Sequence, residues 1–402
     1  MEGVRVLIVG AGLAGLALAR ALRPAGIGAE LIERQAGWDV GGSGIYLPAN
    51  GVRALAALGL GDAVAAAAVG IPSQRLLTHR GQLLAGIGMR DVWGDLGACL
   101  ALPRATLHRM LRDGVPLRLG RTIRTLEQVE GPVQVTFDDG TSGEYDLVVG
   151  ADGLRSTVRR LAVDDRPPVP VGQLGWRFLA PRPAGAVSWS AMLGRGATFL
   201  TLPIGEELIY CYADVGGRAA PGDDPAAVLR ERFAGFAAPV PELLDQLTPG
   251  EVHVAPIEEV DAERWGRGAV VLIGDAAHGM SPNMAQGASL AFEDALELAA
   301  CLRDAVSVAE AGAELAARRR GRTGWVRART HRRDRTRGLP PALRNLVLRS
   351  AARRIFQADY RPLLEPVTAA VAAPPEAGAR GGTGRDGPKP RRSPHARPGG
   401  AA

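Results

Sequence analysis

The first thirty-three residues constrain the chain most. Val4-Arg-Val-Leu-Ile-Val9 is a short apolar run, and Gly10-Ala-Gly12-Leu13-Ala14-Gly15 follows it directly. Leu16 to Leu22 then recurs at helical spacing, and Ala29 to Glu33 reads as a second strand. Strand, glycine turn, helix and strand within about thirty residues are the size of a βαβ crossover. In that setting G-x-G-x-x-G has a mechanical meaning. The first glycine makes the turn, the second lets a pyrophosphate reach the backbone, and the third lets helix and strand pack closely. The helix N-terminus adds unpaired N–H groups and a positive dipole end. Glu33 closes the second strand, where a carboxylate accepts ribose hydroxyls. A dinucleotide is expected here; NAD and FAD share the motif, which does not choose between them.

The 402 residues suffice for two or three structural units, and 46% hydrophobic with 22% charged residues is a globular composition. The net charge of +6 is unevenly spread. Residues 316–361 hold fifteen arginines against two acids, Asp334 and Asp359, which leaves residues 1–315 net acidic. That basic stretch invites a nucleic-acid or membrane reading. Within its most Arg-rich part, 318–337, Trp325 is almost the only interleaved aromatic, so a solvated helix face covering the acidic body is preferred. Cys99, Cys211 and Cys301 show no C-x-x-C spacing, which argues against structural zinc and disulfides and for a reducing, cytoplasmic setting. Residues 4–27 carry Arg5, Arg20 and Arg23, and no run reaches the roughly 18 apolar residues of a membrane span.

The fold class expected is α/β (α+β): a Rossmann-type domain with an inserted antiparallel-sheet domain and a C-terminal helical section. Residues 1–164 form the first part of the dinucleotide domain, with 116–150 read as a β-meander around the Asp139-Gly140 turn. Residues 165–260 form the substrate domain, with strands at 173–179, 186–193, 197–203 and 207–213 and a helix at 224–235. Residues 261–310 return to the first domain through Val270-Val-Leu-Ile273. Helices are expected at 287–304, 311–335 and 341–356, the last two within a helical section spanning 311–370. The Pro-, Gly- and Arg-rich stretch 371–402 is expected to be disordered.

Two further loops follow apolar strands. One is Gly150-Ala-Asp152-Gly153-Leu-Arg155-Ser156. The other runs from Gly274-Asp275 through His278 and Pro282 to Ala285-Gln286-Gly287-Ala288-Ser289. Asp275 stands at the carboxyl end of a buried strand, where open α/β sheets bind ligands. Pro282 to Gly287 is a turn at a helix start, suited to presenting backbone N–H groups to an electron-rich ring.

With these three motifs in order, the chain resembles the FAD-dependent aromatic monooxygenases of the single-component, para-hydroxybenzoate-hydroxylase-like superfamily. It is most similar to the salicylate hydroxylase, urate hydroxylase and zeaxanthin epoxidase branch, over about residues 3–360. The resemblance implies FAD as cofactor and NAD(P)H as transient electron donor. It places Gly10, Gly12, Leu13, Ala14 and Gly15 at the pyrophosphate, Glu33 with Arg34 at the adenosine ribose, and Arg104 toward the flavin. The Ile123 backbone would meet the adenine, and Asp152 and Gly153 would serve both FAD and NAD(P)H. Asp275 would bind the cofactor's sugar chain, and Pro282 with Ala285, Gln286, Gly287, Ala288 and Ser289 would form the loop under the isoalloxazine. Gly42 to Asn50 resembles the segment that crosses near the flavin. Ala285 stands where many relatives have Gly, which is acceptable at negative φ.

The reaction implied is hydroxylation of an aromatic or polycyclic small molecule with O2 through a flavin hydroperoxide. The flavin does the hard chemistry, so no triad or metal site is required. Tyr210 is the candidate catalytic auxiliary. In the urate hydroxylase branch a Tyr occupies this place, paired with an upstream Arg, and here the upstream position holds Thr198. Tyr46, Trp176, Phe199 and Tyr212 are candidates for the pocket wall. His278 is a candidate proton shuttle with a structural role preferred. Alkene epoxidation is the alternative reaction. A halogenase would need a lysine, and the only one is Lys389 in the tail. A non-catalytic flavoprotein or nucleic-acid binder is the outside class.

Overall fold

The computed structural model describes residues 3–37, 43–128, 131–217, 224–247, 250, 252–305 and 307–367. The expected disordered tail lies outside the described residues. Strand Val6–Val9 is buried at every position and pairs in parallel with Ala29–Glu33 on one side and Leu147–Gly150 on the other. A strand covered on both faces reads as a continuous apolar run rather than an alternation, as this one does. Val270–Leu272 extends the parallel set, and Gly266–Arg267 and Arg118–Leu119 close the two edges of a six-stranded sheet. Helices Leu13–Leu22 and Gly287–Asp304 pack on it, and their buried leucines and alanines share one core with the strands.

Residues 116–150 are not one meander. Ile123–Glu127, Val133–Phe137 and Ser142–Tyr145 form a separate three-stranded antiparallel sheet. Arg118–Leu119 and Leu147–Gly150 join the parallel sheet on opposite sides of its centre. Local alternation identifies the strands but not their partners.

A seven-stranded sheet runs in the order His253–Glu259, Val169–Pro181, Leu208–Gly216, Ala197–Pro203, Trp189–Leu193, Ser73–Thr78 and Leu83–Gly88. Its last two strands come from within the expected first domain, and Ser73–Thr78 pairs in parallel with Trp189–Leu193. The sheet therefore crosses the expected boundary at residue 164. One face carries Trp176, Phe178, Met192, Phe199, Ile209 and Cys211 into a core shared with helices Pro225–Phe233 and Val240–Asp245. The other face looks toward the cofactor-type domain.

Helix Val308–Arg337 packs against Gly287–Asp304, and Pro341–Tyr360 packs back across the edge strand Leu83–Gly88. The arginines of the long helix are mostly committed inside the molecule. Arg319, 1% exposed, forms an ion pair with Glu293 at 2.9 Å and donates a hydrogen bond to Asp294 at 2.8 Å. Arg322 bonds Glu293 at 2.8 Å, and Arg318 bonds Glu297 and Glu314. Arg332 and Arg333 converge on the buried Asp359. Burial alone would raise the Asp294 carboxyl, but His278 and Arg319 hold it below its ordinary value. The basic stretch is thus an internal counter-charge for a buried acidic helix, not only a solvated face.

Candidate active site

The glycine turn opens a groove of about 320 Å³ along the carboxyl ends of the parallel strands. Each glycine answers a different constraint. Gly10 sits at φ +102, and a Cβ there would meet the Ala151 carbonyl oxygen at 2.6 Å. A Cβ on Gly15 would meet the Gly10 carbonyl oxygen at 2.0 Å. A Cβ on Gly12 would meet nothing within 4 Å, so its absence serves the open groove rather than the packing. Gly12 is the N-cap of helix Leu13–Leu22, and no side chain caps that end. Open space facing uncapped helix N–H groups fits a diphosphate.

Glu33 lines the groove, and its two carboxylate oxygens accept from the Ala11 N–H at 2.9 Å and the Gln35 N–H at 3.1 Å. Those bonds fix the carboxylate and leave further lone pairs for hydroxyls. Arg34 is exposed at the rim. Asp152 accepts from the Ser156 hydroxyl at 2.5 Å and the Thr157 N–H at 2.7 Å, so it ties down its own loop; burial raises its pKa despite these bonds. Gly153, at φ +80, turns the chain beside it. Ile123 places its side chain in the core, 3% exposed, and Arg121 and Thr122 line the groove instead. His108 also lines the groove, with its Nε2 3.0 Å from the Ala11 carbonyl oxygen. His108 and Arg121 carried no local motif, which is why the sequence did not mark them.

A second cavity of about 970 Å³ continues from Gly12, Arg104 and Gly153 across the 280–288 loop. The seven-stranded sheet is its floor. Cross-strand partners Gln74 and Trp189, Leu76 and Ala191, Leu200 and Tyr212, Leu202 and Tyr210 all line it. Trp176 and Phe199, expected at the pocket wall, lie on the opposite face in the core; the pleat decides the side, and they have the wrong parity. Tyr46 and Tyr212 do line the cavity. The Tyr46 hydroxyl donates to the Met89 Sδ at 3.2 Å and accepts from Gln74 at 3.1 Å.

Asp275, Pro282, Ala285, Gly287 and Ala288 line the loop side of this cavity. Gln286 and Ser289 turn their side chains inward and are 2% and 1% exposed. Gln286 and Asn50 exchange two amide hydrogen bonds, of 3.0 and 3.1 Å, and Asn50 also donates to Glu293 at 3.0 Å. The loop is thereby fastened to helix Ala49–Ala57 and to the arginine network. Ala285 departs from expectation. Its φ is +51, the only positive value at a non-glycine among the described residues. An L-residue there costs about 1–2 kcal/mol. His278 is 2% exposed, lies 2.5 Å from Asp294 and stacks beside Trp265, away from the cavity.

Tyr210 lies on the cavity floor close to the 43–45 segment, where a Cβ on Gly44 would come within 2.6 Å of the tyrosine Cβ. Burial raises its phenol above the ordinary value, with Arg177 and Arg104 acting against the rise. Arg104 is itself lowered by burial, and Asp275 and Tyr210 oppose the shift. The arginine facing Tyr210 from a neighbouring strand is thus Arg177; Thr198, in the position resembling the upstream Arg of the urate hydroxylase branch, bonds Arg337 at 3.1 Å.

A glycine-cradled groove at the carboxyl ends of parallel strands, opening into a sheet-floored cavity, is the architecture of a dinucleotide-dependent enzyme. The chain matches the FAD binding domain family over residues 3–322 and belongs to it. It is 35% identical over 317 residues to aurachin C monooxygenase/isomerase of Stigmatella aurantiaca, covering 75% of this chain and 81% of that one. It is 36% identical over 306 residues to 2-heptyl-3-hydroxy-4(1H)-quinolone synthase of Pseudomonas aeruginosa, covering 73% and 79%. Among solved structures, Klebsiella pneumoniae HpxO complexed with FAD and uric acid superposes with a TM-score of 0.84 at 26% identity, covering 91% and 98%. The protein is an FAD-dependent monooxygenase of the aromatic-hydroxylase type, a family in which NAD(P)H is the typical electron donor; the epoxidase alternative is not favoured.

Proposed function

We propose that the protein hydroxylates a bicyclic, electron-rich heteroaromatic compound bearing an apolar substituent. The observation that carries this is the cavity. At about 970 Å³ it stands at the upper end of the range of sites for drug-sized ligands, with space for a flavin ring and a substrate to share. Away from the loop its wall is aliphatic, with Leu76, Leu200, Val347 and Ile355. The quinolone named for one relative suits such a shape.

In this reading the Gly10–Gly15 turn and helix Leu13–Leu22 hold the FAD diphosphate, and Glu33 accepts the adenosine ribose hydroxyls beside Arg34. The backbone at 121–123, the Asp152–Gly153 turn, Arg104 and Asp275 line the rest of the cofactor's path. The turn at 285–289, whose Ala285, Gly287 and Ala288 line the cavity, would hold the ring. Bound FAD, reduced by NAD(P)H, supplies with O2 the electrophilic oxygen. The chain's own contribution is to orient the substrate over the 280–288 loop and to exclude water. Tyr210 contributes a neutral phenol, a donor to a substrate oxygen rather than a base, because burial holds its proton in place.

The arginines of helix Val308–Arg337 serve the fold in this reading, and nucleic acid is not a partner; their pairing with Glu293, Asp294, Glu297 and Asp359 supports it. No helix among the described residues is long and apolar enough to cross a membrane. The three cysteines are unpaired and buried, which supports a reducing, cytoplasmic compartment.

The test is NADH and NADPH oxidation by the FAD-loaded protein across phenols, salicylates and 4-quinolones with and without 2-alkyl chains. The reading predicts the largest stimulation and matching hydroxylated product from 2-alkyl-4-quinolones. Equal or greater stimulation by monocyclic phenols would overturn it.

A further inference from the structure

Leu343, Leu346 and Val347 stand exposed on one side of helix Pro341–Tyr360, at positions i, i+3 and i+4. Leu83, on the edge strand against which this helix packs, is exposed as well. The sheet register brings it to the same end. Leu193 pairs with Thr78 and Leu77 with Leu83, so the turns at 78–83 and 194–196 lie side by side. Arg344 anchors the start of the helix there by donating to the Leu193 and Gly194 carbonyl oxygens. Single apolar side chains scattered on a surface need no explanation, but four gathered at one end of a sheet mark a contact site.

The charge around these apolar residues has one sign. Arg80 and Arg195 stand exposed in the two turns, and Arg349 and Arg354 on the helix. None of the four has an acidic partner among the described residues. Arg353 is satisfied by Asp91 at 2.9 Å. No Asp or Glu occurs in residues 78–83, 194–196 or 341–358. The inner side of the helix belongs to the substrate cavity, where Leu348, Ile355 and Phe356 line the wall. Val347 is part of both the outer stripe and that wall, so the apolar face and the cavity meet at the edge of the helix.

Aliphatic tips standing among unpaired guanidinium groups complement an anionic bilayer: the leucines enter the boundary of the acyl chains while the arginines meet the headgroups. No helix among the described residues is long and apolar enough to cross a membrane, so the contact is peripheral. We propose that the outer face of helix Pro341–Tyr360, with the turns at 78–83 and 194–196, docks on an anionic lipid surface and takes an apolar aromatic substrate from it into the cavity. The delivery step rests on the substrate reading above, whereas the docking does not. A substrate with an apolar substituent concentrates in lipid, so a cavity wall shared with the docking face shortens its path through water.

The test sediments the FAD-loaded full chain with vesicles of phosphatidylcholine alone and of phosphatidylcholine with phosphatidylglycerol in equal parts. Wild type should bind the anionic vesicles at least about tenfold more tightly and should be released by salt. Leu343→Ser with Leu346→Ser, and separately Arg349→Gln with Arg354→Gln, should each weaken that binding by about ten- to hundredfold. Flavin content, and kcat/KM for a water-soluble aromatic without lipid, should be unchanged in both variants. With a 2-alkyl-4-quinolone carried in the anionic vesicles, kcat/KM should fall in both. Wild type that stays in the supernatant overturns the proposal, as does undiminished vesicle binding by the leucine variant. A lipid-free dimer that the leucine variant dissociates would assign the face to a second copy of the chain and overturns it too. Vesicle binding needs no substrate, so it decides the docking even if quinolones are not turned over.

Discussion

The groove and the cavity adjoin at Gly12, Arg104 and Gly153, yet the chain builds them in opposite ways. The groove is local. Gly10, Gly12, Gly15 and Glu33 lie within one crossover, where Gly15 packs on the Gly10 carbonyl and Glu33 accepts from the Ala11 N–H; only Gly10 answers to a distant neighbour, Ala151. The cavity is assembled from far apart: strands at 73–78, 169–181, 189–193, 197–203 and 208–216, the loop at 280–288 and helices beyond residue 330. The glycine turn and its acid are thus written into one contiguous segment, while the cavity wall is distributed over the fold. The second can change by single side chains without disturbing the first.

The sharpest way to break this contrast uses two glycines of the same motif. Gly15→Val drives a Cβ into the Gly10 carbonyl and should cost several kcal/mol, with loss of folded protein and of flavin together. Gly12→Val points into open space and should leave the thermal midpoint of the FAD-free protein within a few degrees. Flavin retention, read from the visible absorbance after gel filtration, should fall by about a hundredfold in affinity. If both variants fold equally well, the division between packing and ligand glycines fails.

The next effect lies beneath both sites. Arg319→Met removes the buried partner of Glu293 and Asp294 and should cost about 3–5 kcal/mol in urea unfolding at neutral pH. The folded Asp294 pKa is depressed, so its contribution is complete above the unfolded value of about 3.9 and is lost as pH falls toward and through the folded value. The urea midpoints of wild type and variant should therefore converge below about pH 4. A gap that stays constant into acid would remove the ion network from the account.

Smaller again is Tyr210→Phe, which should lower kcat about tenfold while leaving stability within about 1 kcal/mol. Because the phenol is raised and stays protonated, the ratio of wild-type to variant activity should be flat from about pH 6 to 9. A ratio that climbs with pH would make Tyr210 a base. The smallest effect is Ala285→Gly. Relief of the left-handed strain should outweigh the added chain entropy and stabilise by about 0.5–1 kcal/mol, seen as a rise of a few degrees in Tm.

The same contrast explains what could be read from the sequence. The glycine turn, Glu33 and the loops at 150–153 and 274–289 were legible because each follows a buried strand and answers to its immediate neighbours. The order of strands in both sheets was not, because pairing partners are chosen by the folded core. Residues 116–150 alternate as a meander does, yet their outer strands leave for the parallel sheet. Tyr212 and Phe199 look equally suited to a pocket wall, and only the pleat separates them. Ala285 gave no sign of its φ, since nothing in an alanine announces left-handed backbone.

The central claim is that the sheet-floored cavity holds an aromatic substrate where oxygen from dioxygen is delivered to it. The most direct measurement supplies the FAD-loaded protein with NADPH or NADH, isotopically heavy dioxygen and a 2-alkyl-4-quinolone, and weighs the product. The account predicts one heavy oxygen atom per product molecule, with about one NAD(P)H oxidised for each. Oxidation of NAD(P)H without oxygen incorporation, across this and every other aromatic in the panel, would contradict it.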